Sequence, residues 1–216
     1  MADVKKTTVG LICAMTILAA TDSETWNFDR LDEIGGHKTT LLGHPRVIDT
    51  PRGKAIEFNG VDDAIYLGVH PLAGVEAYTW EVIFRPDKGG APEQRFFHLQ
   101  EDGSDNRMLF EIRLIGDQWC LDSFAKTGED SRALMDRAKL HPAGEWYAVE
   151  AVYDGHELRN YVDGVLQGQG ELHMAPQKAG QTSVGVRFNK VNYFKGAVRT
   201  ARMTPHALQP AEFLRK

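Results

Sequence analysis

The sequence predicts an all-β fold: an antiparallel two-sheet jelly-roll sandwich with one short helix at its C-terminal end. Three observations predict it. Short runs with apolar residues at alternate positions recur from residue 24 onward, the period of a strand with one buried face. Pairs that accept positive φ separate many of the runs: Asn59-Gly60, Gly89-Gly90, Asp102-Gly103, Asp154-Gly155 and Asp163-Gly164. No long segment carries the period of an amphipathic helix.

Taken in order, strands are predicted at residues 25–28, 55–58, 64–67, 78–84, 95–100, 108–114, 119–124, 146–153, 158–162, 182–188 and 197–203, with a helix over 210–215. Alternation then assigns faces. Met108, Phe110, Ile112 and Leu114 point inward, and Arg107, Leu109, Glu111 and Arg113 outward. The same parity places Phe97 and Leu99 inside, with Phe96, His98 and Gln100 outside. Trp119 and Leu121 face in; Cys120, Asp122 and Phe124 face out. Val184, Val186 and Phe188 read as core, leaving Ser183, Arg187 and Asn189 outside. Trp26, Trp80, Trp119 and Trp146 all read as packing residues, and Glu150, which shares parity with Trp146, as a buried acid paired to an arginine.

With 216 residues, 42% of them hydrophobic and 25% charged, the chain fits one globular domain with a substantial core. The net charge of −5, with no basic stripe, excludes non-specific nucleic-acid binding, which needs cations to displace phosphate counterions. Two cysteines, Cys13 and Cys120, provide neither a disulfide framework nor a thiolate metal cluster. The histidines show no ligand spacing, so a transition-metal site is unsupported. Lys5 and Lys6 precede an apolar run at 9–20 (VGLICAMTILAA), too short for a transmembrane segment but ordered like a secretory signal. Residues 1–23 are therefore expected to be a signal peptide or N-terminal apolar segment. A secreted or periplasmic location is favoured over a cytoplasmic one.

Four stretches in order resemble the laminin-G-like jelly rolls of the concanavalin A-like lectin and glucanase superfamily. They are residues 53–67 (GKAIEFNGVDDAIYL), 79–86 (TWEVIFRP), 145–164 (EWYAVEAVYDGHELRNYVDG) and 196–213 (GAVRTARMTPHALQPAEF). The resemblance implies lectins, carbohydrate-binding modules, glycoside hydrolases and polysaccharide lyases as company, with a structural or adhesion module as a further role. It also implies calcium as a cofactor, and the matching acids are Asp62 and Asp63. Arg199, however, stands where the family often has an aspartate, and a cation there repels calcium.

The partner expected is a polysaccharide or oligosaccharide. The outward residues Phe96, Gln100, Arg107, Glu111, Arg113, Asp122, Arg187 and Asn189 would form the glycan-binding face, the arginines suiting an acidic sugar. Tyr66, Phe124 and Tyr193 join Phe96 as aromatics for stacking. A second reading is a lyase acting by β-elimination on a uronic acid. It needs a carboxylate neutraliser, a base and an acid: arginines for the first, His98 for the second, Tyr161 or Tyr193 for the third. Residues 107–113 (RMLFEIR) and 193–196 (YFKG) resemble fragments of jelly-roll alginate lyases. The alternating acids of retaining glucanases are missing, leaving Glu111, Asp122 and Glu150 as candidates for a hydrolytic pair. Alternating charge on one strand face also reads simply as cross-strand ion pairing.

Overall fold

The computed structural model describes residues 23–216; the signal-peptide expectation and Cys13 lie outside the described residues. The strands are β1 (Glu24–Asn27), β2 (Glu33–Ile34), β3 (His37–Leu42), β4 (Arg46–Thr50), β5 (Gly53–Asn59), β6 (Ala64–Leu67), β7 (Tyr78–Pro86), β8 (Glu93–Glu101) and β9 (Arg107–Ile115). They continue with β10 (Gln118–Thr127), β11 (Asp130–Met135), β12 (His141–Pro142), β13 (Tyr147–Tyr153), β14 (Glu157–Val162), β15 (Val165–Glu171), β16 (Gly180–Val184) and β17 (Lys195–Thr204). Sheet I has the order β15-β14-β13-β7-β17-β5-β4, with β1 also on β17. Sheet II runs β11-β10-β9-β8-β16-β6-β3-β2, with β12 beside β10. The fold is the predicted two-sheet antiparallel sandwich. The predicted C-terminal helix is only a 3-10 turn, Pro210–Glu212, because the segment is too short to repay helix nucleation.

The interior is aromatic. Phe96 stacks between Phe84 and Phe110, with centroids 4.3 and 5.6 Å away and planes 8° and 6° apart. Trp80 lies 4.2 Å from Phe110, and Trp119 meets Phe84 edge-on at 5.1 Å. Phe96 was expected on the outer, glycan-binding face and is instead wholly buried. The cause is a register shift between Arg95 and Phe97, which inserts one residue and turns both Phe96 and Phe97 inward.

The parity of β13 is likewise the reverse of that expected. Tyr147, Val149, Ala151 and Tyr153 enter the core, whereas Trp146, half-buried, and Glu150 belong to the outer side of sheet I. That side is covered by the C-terminal segment, where Ala207, Leu208 and Phe213 pack on Val152 and Tyr161. Thr79 Oγ1 donates to the His206 carbonyl at 2.9 Å and accepts from Leu208 N–H at 2.8 Å. Glu81, buried, pairs with Arg202 and accepts from Leu214 N–H at 2.7 Å. Glu150 therefore gains no arginine of its own, since the neighbouring guanidinium is committed to Glu81.

Along one side the two sheets meet. Asn160 Nδ2 donates to the Leu134 carbonyl at 3.1 Å, Arg132 Nε to the Glu171 carbonyl at 2.9 Å, and Lys139 Nζ to the carbonyls of Leu166 and Gln167. These bonds join β11 and its following loop to β14 and β15.

Phe110 sits at the centre of the aromatic stack, so Phe110→Ala is expected to cost about 3–5 kcal/mol by cavity formation, read from the urea midpoint at unchanged m-value.

Candidate functional site

The alternate residues of sheet II that avoid the core form rows across its outer face. One row is Tyr66, Ser183, His98, Leu109 and Phe124, from β6, β16, β8, β9 and β10 in turn. A parallel row holds Gln181, Gln100, Arg107 and Lys126; another holds Arg95, Glu111 and Asp122. Gln100, Arg107, Glu111, Arg113 and Asp122 thus share one face as predicted.

The face is partly roofed. The predicted strand 182–188 ends at Val184, because Gly185 takes φ 91°, and residues 185–194 fold back over the sheet. Gly185 N–H donates to the Phe96 carbonyl at 3.0 Å and Arg95 N–H to the Asn192 carbonyl at 3.0 Å. Phe188, expected in the core, lies on the outer face instead, 4.8 Å from His98 and 5.9 Å from Tyr66. The glycine inside that run (SVGVRF) is the signal that its alternation should have been cut short. Arg187 is half-buried, Asn189 is exposed at a turn, and Tyr193 lies near Tyr66.

His98 is completely buried. Its Nδ1 accepts from Phe188 N–H at 3.3 Å, so the neutral ring carries its hydrogen on Nε2. Burial, with Arg187 and Arg107 adding to it, pulls the imidazole down to about 3. A ring with one lone pair engaged and a hydrogen on the other nitrogen is a donor, which corrects its assignment as a general base. Tyr161 is also corrected: it packs with Phe213 at 5.2 Å on the outer side of sheet I, so it shares no cleft with His98.

The acids of this face are paired. Arg113 contacts Asp122 at 2.6 Å and Glu111 at 3.1 Å, while Arg95 contacts Glu111 at 3.0 Å and Glu93 at 3.1 Å. Burial, then Glu111 beside it, push Asp122 up to about 6. Glu111 and Asp122 stand directly opposite each other on β9 and β10 and are both bound by the one guanidinium of Arg113, which leaves no gap between them for a glycosidic bond. Glu150 is on the other sheet, so no hydrolytic pair forms. Arg113, Glu111 and Asp122 therefore act as a structural cluster rather than as open sugar ligands.

What stays available is further along. Arg107 lies 4.8 Å over the Phe124 ring, is 3.7 Å from Asp105, and has Arg187 close enough to lower its pKa after burial has done so first. Arg187 has no carboxylate partner among the described residues. Tyr66 Oη, His98 Nε2 and Arg107 Nε are buried and have no hydrogen-bond partner among the described residues. At the end of this face a cleft of about 220 Å³ is lined by Gln100, Glu101, Asp102, Gly103, Gln181 and Phe188.

The residues expected to hold calcium do not fit it. Asp63 is buried, and its two oxygens accept from His44 N–H at 2.7 Å and Asn59 N–H at 3.0 Å. Asp62 accepts from Asn59 Nδ2 at 2.8 Å. Nearby, Glu57 is bound by Arg46 and Arg85, and Asp87 by Arg85, so these carboxylates already have cations. Asp63 pins the β5–β6 hairpin. Among the described residues no cluster of three or more His, Cys, Asp or Glu side chains could hold a metal ion, and no helix is long and apolar enough to cross a membrane.

The two-sheet jelly roll is an architecture that lectin domains share with many proteins of other function. A laminin-G-type sequence model of the Concanavalin A-like lectin/glucanases superfamily matches residues 59–213, and the chain belongs to that family. No curated protein sequence matches. Solved structures similar in fold include domain 4 of a GH43 extracellular arabinanase from Geobacillus stearothermophilus, in complex with arabinotriose (TM-score 0.64, 19% identity, covering 88% of this chain and 94% of that one). Another is the binding domain of Paraclostridial Mosquitocidal Protein 1 (TM-score 0.66, 10% identity), of which the match covers 50%, and 88% of this chain. A third is a heptameric SAP-like pentraxin from Limulus polyphemus (TM-score 0.56, 16% identity, covering 79% and 77%).

Two outcomes are expected. Micromolar calcium leaves the melting temperature unchanged, because the acidic hairpin is already satisfied. The second concerns Glu150, whose carboxyl is pushed up to about 8 by burial and then by Glu81. Between about pH 4.5 and this value the folded state holds a proton that the unfolded chain has lost, so the contribution of Glu150 to stability falls as pH rises. Glu150→Gln should remove that fall, measured as a smaller loss of the urea midpoint between about pH 5.5 and about pH 8 than in the unsubstituted protein.

Proposed function

We propose that the protein binds a carbohydrate chain on the outer face of sheet II, with an acidic group of the ligand at Arg107 and Arg187. The observation that carries this reading is the set of buried polar atoms without partners among the described residues, Tyr66 Oη, His98 Nε2 and Arg107 Nε, beside Arg187, which has no carboxylate partner among those residues. Each unsatisfied buried group costs about 1–3 kcal/mol, so a ligand rich in hydroxyl and carboxylate oxygens gains by satisfying them. Gln100 and Gln181 add amides, and Phe188 and Phe124 add apolar rings, the usual complement of a sugar site. Fold similarity to an arabinanase domain solved with arabinotriose, and membership of a family that includes lectins, support a carbohydrate ligand without naming it.

The lyase reading uses the same arginines, with Tyr193 as its remaining acid. It has less support, because His98 offers a hydrogen where a base must offer a lone pair.

Titration calorimetry with uronic-acid oligosaccharides tests the proposal. Arg187→Ala should weaken binding about tenfold or more, as loss of a charge-assisted contact does, with the melting temperature preserved. Unchanged affinity in both Arg187→Ala and Arg107→Ala would overturn it. Ultraviolet absorbance of an unsaturated uronide growing with time would instead establish the lyase.

A further inference from the structure

A second place on the molecule combines an accessible aromatic ring with uncompensated positive charge. Trp146 lies just before β13 on the rim of sheet I and is the half-buried member of the four tryptophans, since Trp26, Trp80 and Trp119 are no more than 1% exposed. Two guanidinium groups lie against its ring, Arg85 and Arg199, each with its central carbon 5.5 Å from the ring centroid. Their circumstances differ. Arg85 is held by Asp87 at 2.7 Å and by Glu57 at 3.4 Å. Arg199 falls in the register shift between Val198 and Thr200 on β17, out of the ladder, and makes no ion pair among the described residues.

Arg52, exposed on the β4–β5 turn, approaches the same spot and also has no carboxylate partner among the described residues. The cleft they line has a volume of about 330 Å³, with Thr50 and Lys216 on its walls and Glu145 as its one acidic side chain, which forms no ion pair among the described residues. Lys216 is anchored to Asp163 at 2.6 Å. Arg199 is pushed toward lower pKa by burial and then by Arg52, as expected of two cations with no anion between them.

We infer that this cleft is a second binding site, taking the carboxylate or sulfate of an acidic saccharide between Arg52 and Arg199. With its central carbon 5.5 Å from the Trp146 centroid and no carboxylate partner among the described residues, the Arg199 guanidinium is partly immobilised while its N–H groups remain unpaired by any acid, so less side-chain freedom is lost when it meets an oxyanion. Thr50 Oγ1 donates to the Gly53 carbonyl at 2.6 Å and accepts from Arg52 N–H at 3.2 Å, which fixes the turn that carries Arg52, and Trp146 supplies an apolar floor. The volume suits one sugar residue. The site is on the opposite sheet from the Arg107 and Arg187 face, so it stands or falls separately from the proposed function.

The test is intrinsic tryptophan fluorescence and calorimetry on the full chain, titrated with oligogalacturonate, a sulfated disaccharide, inorganic sulfate and a neutral cello-oligosaccharide. Because only Trp146 of the tryptophans is accessible, binding should change the emission, and Trp146→Phe should abolish that change. Arg199→Gln and the fully surface-located Arg52→Ala should each weaken the charged saccharides about tenfold or more, while Arg187→Ala leaves the emission change intact. The carboxylated and sulfated probes distinguish the two oxyanions. A response to inorganic sulfate alone, or charged-ligand affinity that survives in both Arg52→Ala and Arg199→Gln, would overturn the inference.

Discussion

The structure depends on one inserted residue in β8. With Phe96 and Phe97 both inward, the sandwich gains the stack Phe84–Phe96–Phe110, and the residues on either side of the insertion return to the outer face. Arg95 therefore meets Glu111, and His98 meets Leu109, in the rows that build the outer face. The bulged segment would leave ladder groups without partners, and residues 185–194 supply them through Gly185 to Phe96 and Asn192 to Arg95. The roof over His98 is thus the same segment that makes the bulge affordable in hydrogen bonds. Core packing and site shape are here two results of one backbone irregularity.

What sequence reading could recover follows from where strands bury a face. β6, β7, β9, β10 and β14 were legible because each carries enough apolar residues in a short run bounded by turn signals, as were the turns at Asn59-Gly60 and Asp163-Gly164. β3 (HKTTLL), β4 (RVIDT), β11 (DSRALM) and β15 (VLQGQGE) were not, because they lie at or near sheet edges and are exposed over much of both faces, leaving no period to detect. In β13 every residue is buried, so alternation is silent about which side is the core; the tryptophan suggested the wrong one. For the site, the strand-borne residues Gln100, Arg107, Glu111, Arg113 and Asp122 came together as read. The fate of their charges could not be read, since whether an arginine finds a carboxylate depends on the strand opposite.

That distinction separates the arginines of this protein into two kinds. Arg95, Arg113 and Arg202 offset carboxylates that would otherwise be buried alone, and their removal would strand those acids. Arg107, Arg187, Arg52 and Arg199 lie in positive pairs with little or no such compensation. A net charge of −5 coexists with these pairs because potential in a cleft is set by the nearest groups rather than by the total.

The junction of β11 with β14 and β15 carries a further consequence. Where the sheets meet, the carbonyls of Leu134, Leu166, Gln167 and Glu171 are occupied by side chains of the same molecule. A strand from another copy finds few acceptors there. On the opposite side, β4 presents Arg46 and Asp49 in salt bridges with Glu57 and Lys54, which an incoming β-strand would have to desolvate. An open sandwich has two rims at which foreign strands can pair; here amide, guanidinium and ammonium donors occupy carbonyls along the first, and salt bridges flank β4 on the second, which works against edge-to-edge pairing at both places.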